Sequence, residues 1–147
     1  MSRGEKRRNY GGGEMANIMI IDDQPAVLRA LRRTLERAGH EVTQASDGKT
    51  ALRHFTGNPT DLVISDIYMP EMDGIEFLLR VREIFPEARI VAMSGGGHLP
   101  KDRVLRAASI LGAVAVLEKP FSQAEVLEAV HAALERFVTP SEECWIQ

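Results

Sequence analysis

Three carboxylates, a hydroxyl and an ammonium stand in this chain where apolar runs stop. Asp22 and Asp23 follow "NIMII", Asp66 follows "LVIS", Ser94 follows "RIVAM", and Lys119 follows "AVAVLE". Carboxylates gathered in one crevice repel one another and raise each other's pKa, a conflict that a divalent cation removes. Mg²⁺ suits such a place, because it takes oxygen ligands, keeps several waters and is commonly held by one or two carboxylates plus phosphate oxygens. Lys119 and Ser94 would then complement the equatorial oxygens of a phosphoryl group in transfer. Asp66 is the candidate nucleophile, which would give an acyl phosphate.

Each residue also has a plain structural reading. Asp23 ahead of "QPAVL" could be a helix N-cap with Pro25 in the first turn. Asp66 could be a turn residue, Ser94 a loop hydroxyl and Lys119 a surface lysine. The joint placement favours chemistry: all of them fall at the end of an apolar strand and none in mid-helix.

For these side chains to meet, the elements must be parallel strands. From Asn17 the period of the apolar residues keeps switching. "NIMII", "LVIS", "RIVAM" and "AVAVLE" are near-continuous apolar strands, and "EVTQA" is a short alternating one. Between and after them come helical stretches: "QPAVLRALRRTLERAG" closing on Gly39, "DGKTALRHF" with Asp47 as its cap, "DGIEFLLRVREIF" ended by Pro86, "KDRVLRAASILG" closing on Gly112, and "SQAEVLEAVHAALERF". Ser122 and Glu125 have capping-box spacing in the last. Alternation of five strands with five helices predicts an α/β, doubly wound parallel sheet covered on both faces. Its ligand crevice lies beyond the carboxyl ends of the strands, where the five candidate residues are.

The totals set the frame. A chain of 147 residues with 44% apolar content suits one compact domain with short extensions, and a formal charge of -3 is not that of a dedicated nucleic-acid binder. The single cysteine, Cys144, forms no internal disulfide, no apolar run spans a bilayer, and the start has no secretory pattern. A cytoplasmic location is expected. Residues 1–14 read as a flexible leader or tag, 15–138 as the domain, and 139–147 as a C-terminal tail.

"IIDD" (Ile20–Asp23), "SDIYMPEMDG" (Ser65–Gly74), "AMSG" (Ala92–Gly95) and "LEKPF" (Leu117–Phe121) resemble the receiver domain of two-component response regulators, over about Asn17 to Phe137. The resemblance implies a CheY-like, flavodoxin-like sheet of strand order 2-1-3-4-5 and a phosphoacceptor at Asp66. It implies Mg²⁺ as cofactor, held by Asp23 directly, Asp22 through water, Asp66, and the main-chain carbonyl of Tyr68. Ser94 matches the hydroxyl that moves toward the phosphoryl group and Lys119 the lysine that pairs with it, with a cis bond to Pro120. The implied partners are a sensor histidine kinase or phosphotransfer protein and a downstream protein target. Neither direct DNA binding nor a membrane is expected, and the only catalysis expected is self-phosphorylation and autodephosphorylation. The chain reads as a stand-alone response regulator; the alternatives are a receiver excised from a larger regulator or hybrid kinase, or a pseudo-receiver that is not phosphorylated.

Three places depart from the family pattern. Val116 stands three positions before the lysine, where many receivers carry an aromatic residue that swings on activation. Gly95–Gly97 make a permissive loop that could carry the change instead. Tyr68 sits where side chains gate the attacking water. Two other classes fit less well: an aspartate-nucleophile phosphatase needs a second acid where Tyr68 stands, and a flavin carrier wants hydroxyls where "DDQPA" offers carboxylates. The four histidines read as surface residues, and the basic face of "RALRRTLER" as a solvated face or a kinase contact.

Overall fold

A computed structural model describes residues 15–67, 74–95 and 101–135. Strand and helix alternate as β1 (Asn17–Ile21), α1 (Pro25–Arg37), β2 (Glu41–Ala45), α2 (Gly48–Gly57), β3 (Leu62–Asp66), α3 (Gly74–Ile84), β4 (Arg89–Ser94), α4 (Lys101–Leu111), β5 (Ala115–Glu118) and α5 (Gln123–Glu135). The strands pair in parallel in the order β2-β1-β3-β4-β5, the expected flavodoxin-like sheet.

Strand alternation sorts the core into two layers. Ile18, Ile20, Leu62 and Ile64 face α1 and α5, where Leu31, Leu35 and Val130 meet them. Met19, Ile21, Val63 and Ile90 face α2 and α3, against Phe55, Phe77 and Val81. Residues on both faces of β1, β3 and β4 are therefore buried, which is why those strands read as continuous apolar runs. β2, at an edge, buries only Ala45 fully. No helix among the described residues is long and apolar enough to cross a membrane.

Local chemistry fixes the ends. Asp47 caps α2 by accepting from the Thr50 N–H, and Ser122 and Glu125 exchange the two bonds of a capping box at 3.1 and 2.8 Å. α1 and α4 both end in a Schellman pattern: His40 N–H donates to Leu35 O and Ala113 N–H to Ala108 O. That pattern turns on a left-handed glycine, Gly39 at φ 97 and Gly112 at φ 73. It also delays β5, which begins at Ala115 rather than Ala113, because Ala113 is still closing α4. β3 and β4 each run one residue further than their apolar runs, to Asp66 and Ser94.

Two structural readings are corrected. Asp23 is exposed and is not the cap of α1; that position belongs to Gln24, whose side chain makes no capping bond. His40 is not a plain surface residue: it is half-buried and its Nδ1 accepts from the Ala16 N–H at 3.1 Å.

Candidate functional site

The carboxyl ends of β1, β3, β4 and β5 bring the predicted residues together. Carboxylate oxygens of Asp22, Asp23 and Asp66 all lie within 4.8 Å of one another. Asp22 follows β1 and is fully buried, Asp66 closes β3 and is nearly so, and Asp23 faces solvent. Lys119, just past β5, extends its Nζ to 2.6 Å from Asp22 Oδ2 and 2.8 Å from Asp66 Oδ2. Its main chain is fixed as well: the Lys119 N–H donates to the Ser94 carbonyl at 2.9 Å, and the Lys119–Pro120 peptide is cis. Ser94 is buried at the end of β4. Tyr68, whose carbonyl is the remaining expected metal ligand, lies outside the described residues, as do Met69, Pro70, Asp73, Gly96, Gly97, His98, Cys144 and Trp145.

The charges do not balance, and the imbalance has a direction. Asp22 Oδ1 accepts from the Gln24 N–H at 2.9 Å. Its Oδ2 is buried and meets only the Lys119 ammonium, at 2.6 Å. Burial pushes the Asp22 carboxyl above its ordinary value; Lys119 and the Gln24 N–H offset only part of that. Burial alone would lower the Lys119 pKa, but Asp22 and Asp66 outweigh it and hold the ammonium above its usual range. Three carboxylates, two of them buried, thus face one ammonium.

A divalent cation fits that arrangement. Oxygens on opposite sides of an octahedral Mg²⁺ lie about 4.2 Å apart, twice the metal–oxygen distance. The three carboxylates are gathered on that scale around a single ammonium.

Two residues passed over in the sequence touch Asp66 through its main chain. Ser65 donates its hydroxyl to the Asp66 carbonyl at 2.9 Å, and Gly74 packs so close to the same carbonyl that a side chain there would collide with it. A hydroxyl inside "LVISD" was the available signal for Ser65. For Gly74 there was none beyond turn chemistry, since its neighbour is backbone.

Val116 is half-buried on β5 and packs with Ala92 and Ala108, small residues of β4 and α4. No ring is present at this position to exchange between buried and exposed states.

Residues 18–131 match the response regulator receiver domain family. The chain is similar to the transcriptional regulatory protein GlrR of Escherichia coli K12, 32% identical over 130 residues that make up 88% of this chain and 29% of that protein. It is similar to sporulation initiation phosphotransferase F of Bacillus subtilis 168, 34% identical over 113 residues, 77% of this chain and 89% of that one. Among solved structures, the chemotaxis response regulator CheY4 of Vibrio cholerae superposes at TM-score 0.73 with 30% identity, covering 81% of this chain and 98% of that chain. A receiver domain protein from Clostridium thermocellum does so at 0.74 with 33% identity, covering 82% and 95%. The chain thus spans under a third of GlrR but nearly all of the single-domain relatives. Neither a phosphatase nor a flavin carrier accounts for these matches and this sheet edge together: the chain belongs to the response regulator receiver domain family.

Proposed function

We propose that Asp66 accepts a phosphoryl group, with Mg²⁺ held by Asp22, Asp23, Asp66 and the Tyr68 carbonyl, and that the modification switches a protein-interaction surface. The donor would be a sensor histidine kinase or a phosphotransfer protein. One observation carries the reading: Lys119 reaches both Asp22 and Asp66 while Asp23 lies alongside them, so a nucleophile, a cation-binding pair and a fixed positive charge share one edge.

An Asp66 carboxylate oxygen attacks the phosphorus; the new P–O bond forms as the donor's P–N bond breaks, and the donor imidazole keeps the departing electron pair. When bound, Mg²⁺ neutralises charge on the transferring oxygens. Lys119 stays an ammonium throughout, because its two carboxylate neighbours hold its pKa high, and it exchanges its contact with Asp66 for one with the phosphoryl group. Ser94, buried at the end of β4, supplies a hydroxyl donor. The chemistry is confined to the chain's own modification and its reversal.

Beryllofluoride, a phosphoryl mimic, tests the site without a kinase. Fluorine NMR of the chain with beryllofluoride and Mg²⁺ is expected to show bound resonances that vanish without Mg²⁺ and in Asp66→Ala. Absence of bound signal from the native chain at saturating Mg²⁺ would instead support a pseudo-receiver.

A further inference from the structure

We propose that Ser65 and Gly74 are positioning residues that hold the Asp66 main chain so that its carboxylate faces Lys119 and the cation; this rests on the reading of Asp66 as the acceptor. Ser65 lies fully buried in β3, paired in the ladder with Ile21 on one side and Ala92 on the other. A hydroxyl in such surroundings is costly unless it is bonded. Here it donates to the carbonyl oxygen of the next residue, Asp66, at 2.9 Å.

Gly74, the first residue of α3, closes on the same peptide. A Cβ at Gly74 would overlap the Asp66 carbonyl oxygen and lie 2.8 Å from the carbonyl carbons of both Asp66 and Ile67. These are backbone atoms, with no rotamer to move aside. The Gly74 N–H donates to the Ile67 carbonyl at 2.9 Å, and the Ile67 N–H donates to Met93 O at 3.1 Å. The peptide that follows Asp66 is therefore held by a buried hydroxyl, by the entry to α3 and by β4. Its orientation sets the direction of the Asp66 side chain, whose Oδ2 lies 2.8 Å from Lys119 Nζ.

A side chain at Gly74 has to displace the peptide or the helix by a distance comparable to an ångström, and misplacement on that scale slows positioned reactions by about a hundredfold. Removing the Ser65 hydroxyl loses one hydrogen bond, an effect of about tenfold.

The test follows phosphorylation of the full chain by acetyl phosphate at saturating Mg²⁺, using intact mass at a temperature where every protein is folded by circular dichroism. Ser65→Ala is expected to react about tenfold more slowly than the native chain, and Gly74→Ala about a hundredfold more slowly. Phe55→Leu, a buried change in α2 away from the site, should lose stability and keep the native rate. If Gly74→Ala does not fold, Ser65→Ala decides. A native rate in Ser65→Ala, or a slowing no greater than that of Phe55→Leu, overturns the positioning role and leaves Asp66 as acceptor. A native chain that takes no phosphoryl group, or takes one equally after Asp66→Ala, overturns the acceptor reading and the positioning role with it.

Discussion

Asp22 is the residue at which charge and burial conflict most. Fully buried, it has one oxygen satisfied by the Gln24 N–H and the other facing only the Lys119 ammonium. Burial raises the Asp22 pKa despite Lys119, so the charged carboxylate costs stability that a neutral group of the same shape would not. Asp22→Asn should therefore raise the metal-free stability in urea unfolding. It should also weaken the response of the melting temperature to added Mg²⁺. A variant less stable than the native chain without metal would mean that the Asp22 charge is already well compensated. Lys119 is the complement: its contacts with Asp22 and Asp66 make it the resident cation of an edge that is still short of positive charge.

Among the elements, α4 is held most visibly at its C-terminal end. Arg82 of α3 donates to the carbonyls of Leu111 at 2.9 Å and Gly112 at 3.2 Å, and to those of Pro86 and Ala88 at 2.9 and 2.6 Å. One guanidinium thus satisfies the end of α4 and the turn into β4, and it remains charged although burial lowers its pKa. Arg82→Met should cost about 2 kcal/mol, the order expected for losing hydrogen bonds to a charged group. A larger gain in amide exchange at Ser109–Gly112 than in the sheet would localise that loss. Unaltered exchange there would mean that α4 is held by packing alone.

The entry to β1 has a pH-sensitive contact. Burial lowers the His40 pKa, and its Nδ1 accepts from the Ala16 N–H only while unprotonated. The folded state therefore binds this proton less readily than the unfolded state. Its stabilising contribution is complete above the ordinary value of 6.5 and is lost as pH falls from there through the lower folded pKa. Unfolding free energy measured from pH 7.5 to 5 should decline in the native chain, and decline less in His40→Asn. Equal slopes would remove His40 as the source.

These elements also mark what could be read in the sequence and what could not. The strands and the ends carrying Asp22, Asp66, Ser94 and Lys119 were legible, because buried parallel strands write themselves as apolar runs and a polar residue then marks where each run stops; the strand order came only from the family resemblance. The Gly39, Gly112, Asp47 and Ser122 caps were legible because capping is local. The roles of Ser65, Gly74, Arg82 and His40 were not, because each meets a backbone group brought close only by tertiary packing. The alternative of Asp23 as a cap fails because Pro25 sets the start of α1 without a side-chain bond.

At the scale of the molecule, the sheet is covered on both faces, with the candidate site gathered at one edge. Phosphoryl chemistry at that edge has to reach a partner through the elements next to it. The half-buried Val116, packed on Ala92 and Ala108, lies on that route without an aromatic ring. The switch is accordingly expected to move α4 against β4 and β5 rather than to flip a side chain on β5. The account depends first on the edge accepting phosphorus at one residue. Intact mass of the chain after incubation with acetyl phosphate and Mg²⁺ measures that directly, with Asp66→Ala and a magnesium-free sample beside it. One phosphoryl group on the native chain, dependent on Mg²⁺ and absent from Asp66→Ala, is the expected result. No added mass on the native chain, or the same added mass on both proteins, would contradict the account.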